Sequence, residues 1–100
     1  MYSKEFMGGL AEFFKIFADE TRLRILDLLV SSDKCVSEIS QKLNVSQSAV
    51  SHQLKTLRDA NLVKTCKVGQ TVNYRITDQH IEIILKYGAE HLKEKVKDEN

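Results

Sequence analysis

Near its C-terminus the chain carries four metal-ligand side chains on one helical stretch, and their spacing limits what it can fold into. Asp78, His80, His91 and Glu94 stand in TDQHIEIILKYGAEHLKEK. His80 and His91 are eleven residues apart, close to three turns of α-helix, so they share a face yet lie ~16 Å apart along the axis. Zinc–nitrogen bonds are only ~2 Å long, so one helix cannot bring both imidazoles to one ion. Two copies packed antiparallel about a two-fold axis remove the difficulty, because residue i of one copy then faces residue j of the other at constant i + j. The pairs 80/91 and 78/94 have sums of 171 and 172. A crossing near Lys86 brings Asp78 and His80 of one chain level with His91 and Glu94 of the other, twice over. The spacing predicts a helix over about 78–96 that is both a dimer seam and the holder of two metal sites.

The rest of the chain must supply a task for such a dimer. One hundred residues suit a single domain, 1–100, whose modest core gains from dimerisation. No apolar run approaches transmembrane length, and MYSKEFMGG lacks the basic-then-apolar layout of a signal peptide, so the expectation is cytoplasmic, with no membrane partner. Cys35 and Cys66 are far apart and form no CxxC; in a reducing compartment they are thiols rather than a disulfide framework. The net charge of +1 hides an asymmetry. Residues 46–77 carry Lys55, Arg58, Lys64, Lys67 and Arg75 against Asp59 alone, while the flanks are slightly acidic. A basic middle points to a polyanion partner.

Phe6, Met7, Leu10, Phe13, Phe14 and Phe17 fall on one helical stripe, interrupted by Gly8-Gly9, which weakens the helix start. The stripe suits core packing and a partner chain equally. Asp19 reads as the N-cap of a helix from Glu20 to about Ser31, whose Leu23, Ile25, Leu26, Leu28, Leu29 and Val30 leave almost no polar face, so it belongs in the middle of the fold. Residues 31–34 read as a loop. VSEISQKL, 36–43, is a short amphipathic helix; Asn44-Val45 breaks it, and Ser46 caps a further helix to about Asn61. Two helices joined by so tight a turn form a helix-turn-helix, about 36–60.

On the second of these helices Val50, Leu54, Leu57 and Ala60 make the buried face. Gln47, Ser48, Ser51, His52, Lys55 and Arg58 lie on a polar arc roughly opposite, which is either a solvated face or a surface for base edges and phosphates. The adjoining residues favour a nucleic-acid surface. Residues 62–68, a Gly69-Gln70 turn and residues 71–76 form a β-hairpin with Val72, Tyr74 and Ile76 on one buried face. A basic hairpin, about 63–76, directly after a helix-turn-helix is the layout of a winged helix. Thr77-Asp78 ends the strand and caps the last helix. The fold class is mainly α with a small β-hairpin, a winged helix-turn-helix dimerising through its N- and C-terminal helices.

ADETRLRILDLL, CVSEISQKLNVSQSAVSHQLKTLRDANLV and KVGQTVNYRI resemble the ArsR/SmtB family of winged-helix metal-sensing repressors. The resemblance covers roughly residues 10–96, and VSQSAVSHQLKTL is its most specific segment. It implies a homodimer that holds an inverted-repeat double-stranded DNA operator and releases it when metal binds. Gln47, Ser48, Ser51 and His52 match positions that approach bases, with Lys55 on the same face. Metal sites differ between members. The thiolate type uses Cys-x-Cys at the start of the first helix-turn-helix helix, where this chain reads Cys35-Val36-Ser37 and lacks one thiolate. The type that recruits N-terminal Cys or His fails, because MYSKEFMGGLAEFF contains neither. The C-terminal-helix type uses Asp-x-His, ten residues, then His-x-x-Glu or His-x-x-His, and Asp78, His80, His91 and Glu94 fit it throughout.

Two imidazoles and two carboxylates without thiolate suit zinc or cobalt(II) as the regulatory ligand. Relatives imply that His91 donates its other ring N–H to a backbone carbonyl near Asn61. Tyr87 and Ile84 on the same face read as seam packing. Cys35 reads as a small packed residue, with a second metal site shared with Glu38 as the alternative. A thiol-based redox or persulfide sensor of the same fold, acting through Cys35 and Cys66, is the alternative function. An enzyme is not expected: four protein ligands leave no open position for substrate water, and no nucleophile–base pair, phosphate loop or organic-substrate site is evident. KEKVKDEN reads as a solvated end.

Overall fold

In the computed structural model, which describes the backbone of residues 1–99 and the side chains of residues 1–95, helices begin where a side-chain oxygen can take up a free N–H. The Ser3 hydroxyl accepts from the Phe6 N–H at 3.1 Å and opens α1, Lys4–Phe17. Asp19 accepts from Arg22 N–H at 3.0 Å and opens α2, Glu20–Ser31. α3, Val36–Leu43, and α4, Gln47–Asp59, follow, the latter capped by Ser46, whose hydroxyl accepts from Ala49 N–H at 3.1 Å. α5 covers Gln79–Glu99. From Val96 on, the expected solvated tail lies outside the described side chains.

Helix ends are equally local in origin. Asn44 and Asn61 both have positive φ, 55° and 64°, a conformation that asparagine tolerates better than most residues. At Asn61 the Leu62 N–H donates to Leu57 O and the Asn61 N–H to Arg58 O, each at 2.9 Å. That paired closure stops α4 at Asp59, short of the expected end near Asn61. α2 has no such residue. Its last turn is closed by the buried Lys34 ammonium, which donates to Leu28 O at 3.0 Å, Ser31 Oγ at 3.2 Å, Ser32 O at 3.3 Å and Ser32 Oγ at 2.9 Å.

α3 opens differently. The Glu38 carboxylate accepts from Cys35 N–H at 2.9 Å, and this backbone bond, with further help from the Cys35 side chain and from Lys34 and Lys42, holds its pKa below the ordinary carboxylate value.

Three antiparallel strands complete the fold in the order β1-β3-β2. β2, Val63–Val68, and β3, Thr71–Ile76, form the expected hairpin, in register from Val63 opposite Ile76 to Val68 opposite Thr71. Gly69 takes φ 62° in the turn. β1, Lys34–Cys35, was not expected; it pairs with Tyr74 and Asn73. Two residues carry no readable alternation, and β3 alone creates this strand by offering its second edge.

The core gathers Ile25, Leu26 and Leu29 of α2 with Ile39, Leu43, Val50, Leu54, Leu57, Leu62, Val63 and Ile81. Three expectations need correction. α1 runs unbroken through Gly8-Gly9 from its Ser3 cap. Leu23 of α2 is 37% exposed, so that helix is not covered all round. Val72 is 42% exposed, whereas Tyr74 and Ile76 pack on the core, because the hairpin tip projects past the helices.

The core makes a clear forecast. Leu54 is fully buried, so Leu54→Ala should cost about 2–5 kcal/mol in urea unfolding, while Val68→Ala on the exposed tip should stay within about 0.5 kcal/mol. Glu38 supplies a pH forecast. A depressed folded pKa stabilises above the unfolded value, and that contribution disappears as pH falls through the folded value. The Glu38 carboxyl carbon, followed by NMR, should titrate below its midpoint in an unfolded peptide, and Cys35 N–H should shift with it.

Candidate nucleic-acid interface and metal half-sites

Because Val50, Leu54 and Leu57 turn one side of α4 into the core, the other side is forced outward. Gln47 and Ser48 stand exposed in its first turn, and Ser51, His52 and Lys55 continue the exposed surface. The Lys55 ammonium meets Asp59 at 3.0 Å with both side chains largely exposed. Such a pair is worth only about 0.3–0.5 kcal/mol, so Lys55 can exchange Asp59 for a phosphate at little cost. Arg58, Lys64 and Lys67 are also exposed. Arg75 is not an open cation: its guanidinium donates to Asp33 at 2.6 Å. The basic surface is therefore smaller than the residue count suggested.

The four ligand candidates fall into two separate pairs, one at the N-terminal edge of α5 and one along it. At its start the Asp78 carboxylate accepts from His80 N–H at 2.8 Å, and its Oδ1 lies 3.1 Å from His80 Nδ1. Two ligands at ~2.0 Å from a tetrahedral zinc ion are about 3.3 Å apart, so these two atoms already stand near the separation that one ion requires. Three turns along, His91 and Glu94 are both exposed; at i, i+3 they are neighbours on one helix face. Ile83 and Tyr87, 40% and 62% exposed, lie between the pairs. Among the described residues no three His, Cys, Asp or Glu side chains converge for a metal ion within one chain. Each chain thus carries two separate carboxylate–imidazole pairs.

The Asp78–His80 pair is tied to the segment after α4 by Thr77, which the sequence placed with Asp78 at the strand end and helix cap. Thr77 N–H donates to Leu62 O at 3.0 Å, and its hydroxyl reaches Asn61 O at 3.0 Å and Leu62 O at 3.3 Å. The carbonyl proposed to receive His91 thus lies one residue from Asp78 through this contact. Arg22 is a residue that sequence reading missed. Its Nε donates to Ile16 O of α1 at 2.8 Å and its Nη1 to Gln53 of α4 at 3.1 Å. A cation inside the apolar run TRLRIL was the available signal.

The two thiols share one side of the sheet, both opposite Asn73, one on each flanking strand. Two strand spacings put their Cα atoms ~10 Å apart, beyond the ~7 Å limit for a disulfide without backbone movement.

The model for bacterial regulatory proteins of the arsR family matches residues 19–65. The chain is 42% identical over 85 residues to a transcriptional repressor SmtB homolog of Synechocystis sp., covering 85% of this chain and 64% of that relative's length. It is 36% identical over 89 residues to the cadmium resistance transcriptional regulatory protein CadC of Listeria innocua, covering 88% of this chain and 74% of the relative. Among solved structures, Rv0081 of Mycobacterium tuberculosis superposes with a TM-score of 0.88 at 33% identity, over 97% of this chain and 98% of that one.

Proposed function

From membership of the arsR family of bacterial regulatory proteins, which this chain holds, we propose that it is a homodimeric, metal-responsive repressor of transcription. The relatives are transcriptional regulators, not enzymes. The apo dimer grips an inverted-repeat duplex with its two α4 helices in successive major grooves ~34 Å apart. Gln47, Ser48, Ser51 and His52 address base edges, and Lys55 with the hairpin lysines addresses phosphates, so the affinity falls steeply with salt.

The observation that carries the metal reading is the pairing of Asp78 Oδ1 and His80 Nδ1 at 3.1 Å, at the start of a helix whose further donors, His91 and Glu94, find no third partner among the described residues of their own chain. Exposed apolar side chains support the seam that the pairing needs. Phe6, Met7 and Phe14 on α1 are about half exposed, as are Ile83 and Tyr87 on α5. Together with α2 these helices frame an apolar groove of ≈ 660 Å³. Such faces are unusual on a monomer and suit a partner chain.

Asp78 and His80 of one chain with His91 and Glu94 of the other would hold zinc or cobalt(II), which would supply a cross-link between the two chains. The chain's own part is transmission. Thr77 joins the Asp78–His80 corner to the last carbonyls around α4, so fixing the crossing of the two α5 helices fixes the recognition helices with it. Release requires metal to favour the low-affinity geometry by ~1–3 kcal/mol, and DNA weakens metal binding by the same factor.

The test is fluorescence anisotropy on a duplex that the protein selects from a random-sequence pool. Zinc should weaken the wild-type complex at least about tenfold, and His91→Ala should bind the duplex like wild type but ignore zinc. A His91→Ala dimer that still leaves the duplex with zinc contradicts this site. Parallel titrations with cobalt(II), nickel(II) and cadmium(II) rank the effectors.

A further inference from the structure

Arg22 occupies an unusual position for a cation in an apolar helix. Its guanidinium reaches forward to α4 and back to α1 at once, with donors 2.8 Å from Ile16 O and 3.1 Å from Gln53 Oε1. We propose that Arg22 is a positioning residue that locks the recognition helix to α1 and so sets the angle at which a dimer presents its two recognition helices. This role rests on the repressor function proposed for the chain.

Ile16 lies in the last turn of α1, where carbonyls lack intrahelical donors, and a cation there also complements the helix dipole. That half of the contact anchors Arg22 to α1. Its own backbone is fixed by the Asp19 cap. The other half selects a rotation of α4. A guanidinium can only donate, so Gln53 must turn its carbonyl oxygen inward and its amide nitrogen away. Gln53 is half-buried, between the core residue Leu54 and the exposed His52. Rotating α4 about its axis moves Gln53 off the plane of the fork before it disturbs the apolar contacts.

Apolar packing alone holds these helices loosely in rotation, since α1 rests on α2 and α2 on α4 through side chains that can slide. A planar group with donors in fixed directions does not slide in that way. Among the described residues no other side chain hydrogen-bonds to both α1 and α4. With α1 half-exposed at the proposed seam, the route from seam to recognition helix runs Ile16, Arg22, Gln53. It is independent of the Thr77 corner, which meets the chain just past the C-terminal end of α4, whereas Gln53 lies mid-helix.

The experiment measures tolerance of half-site spacing, which needs no metal. Anisotropy titrations compare the duplex selected by the wild-type protein with one carrying an extra base pair between its half-sites, which turns one half-site by ~35°. The wild type should bind the altered duplex at least about tenfold more weakly. Gln53→Leu spares the Ile16 bond and should reduce that discrimination to within about threefold, with its melting midpoint little changed. Gln53→Glu still offers Arg22 an acceptor and should keep the discrimination. Arg22→Lys should behave like Gln53→Leu and serves as the reading if the leucine variant does not fold. A Gln53→Leu protein as selective as wild type, a Gln53→Glu protein as tolerant as Gln53→Leu, or a tolerant wild type overturns the proposal. A wild type that selects no duplex at all instead refutes the repressor reading, before any variant is made.

Discussion

Thr77 closes the corner on which the rest of the molecule depends. Its N–H and hydroxyl take up the carbonyls of Asn61 and Leu62 at 3.0–3.3 Å, just past the end of α4. One residue thereby ties down the segment that follows α4, continues the register that sets Val63 opposite Ile76, and delivers the chain to Asp78 and α5. Buried backbone carbonyls need partners, so this corner cannot open without loss at all three elements. In the proposed mechanism, a displacement at Asp78 and His80 would pass to α4 through these bonds.

Much of this architecture is legible in the residues, for reasons that are local. Asp19 and Ser46 announce helices because their oxygens satisfy N–H groups three residues on. VSEISQKL has an apolar spacing that only a helix can bury, and the observed α3 spans the same residues. The hairpin follows from its strands and the glycine between them. β1 escaped because two residues hold no period. Val72 was misplaced because alternation tells which residues share a face but not how far the sheet extends over the core. The partners of Arg22 and Thr77 escaped for another reason: Gln53 lies thirty-one residues from Arg22, and Asn61 and Leu62 lie sixteen and fifteen from Thr77, and no spacing encodes a long-range hydrogen bond.

The metal half-sites show the same division. Spacing alone said that one helix cannot unite its own donors, and within one chain the two pairs stand apart. The nearness of Asp78 Oδ1 and His80 Nδ1 was not in the spacing, because it depends on Asp78 capping the helix start. Nor was the connection from that cap through Thr77 to α4. Between the two pairs, Ile83 and Tyr87 leave apolar surface in water, and on the proposed reading its burial against a second chain would bring the complementary donors together. In the proposed repressor, the contact that stabilises a dimer would also complete the site that regulates it.

Subunit mixing tests that claim most directly. One chain carries Asp78→Ala and His80→Ala, the other His91→Ala and Glu94→Ala, and each homodimer keeps only one kind of half-site. A site shared between chains predicts that neither homodimer shows tetrahedral cobalt(II) absorption, while the mixed heterodimer regains it with one ion per dimer, half the wild-type stoichiometry. A heterodimer as blind to cobalt(II) as its parents would contradict the shared site.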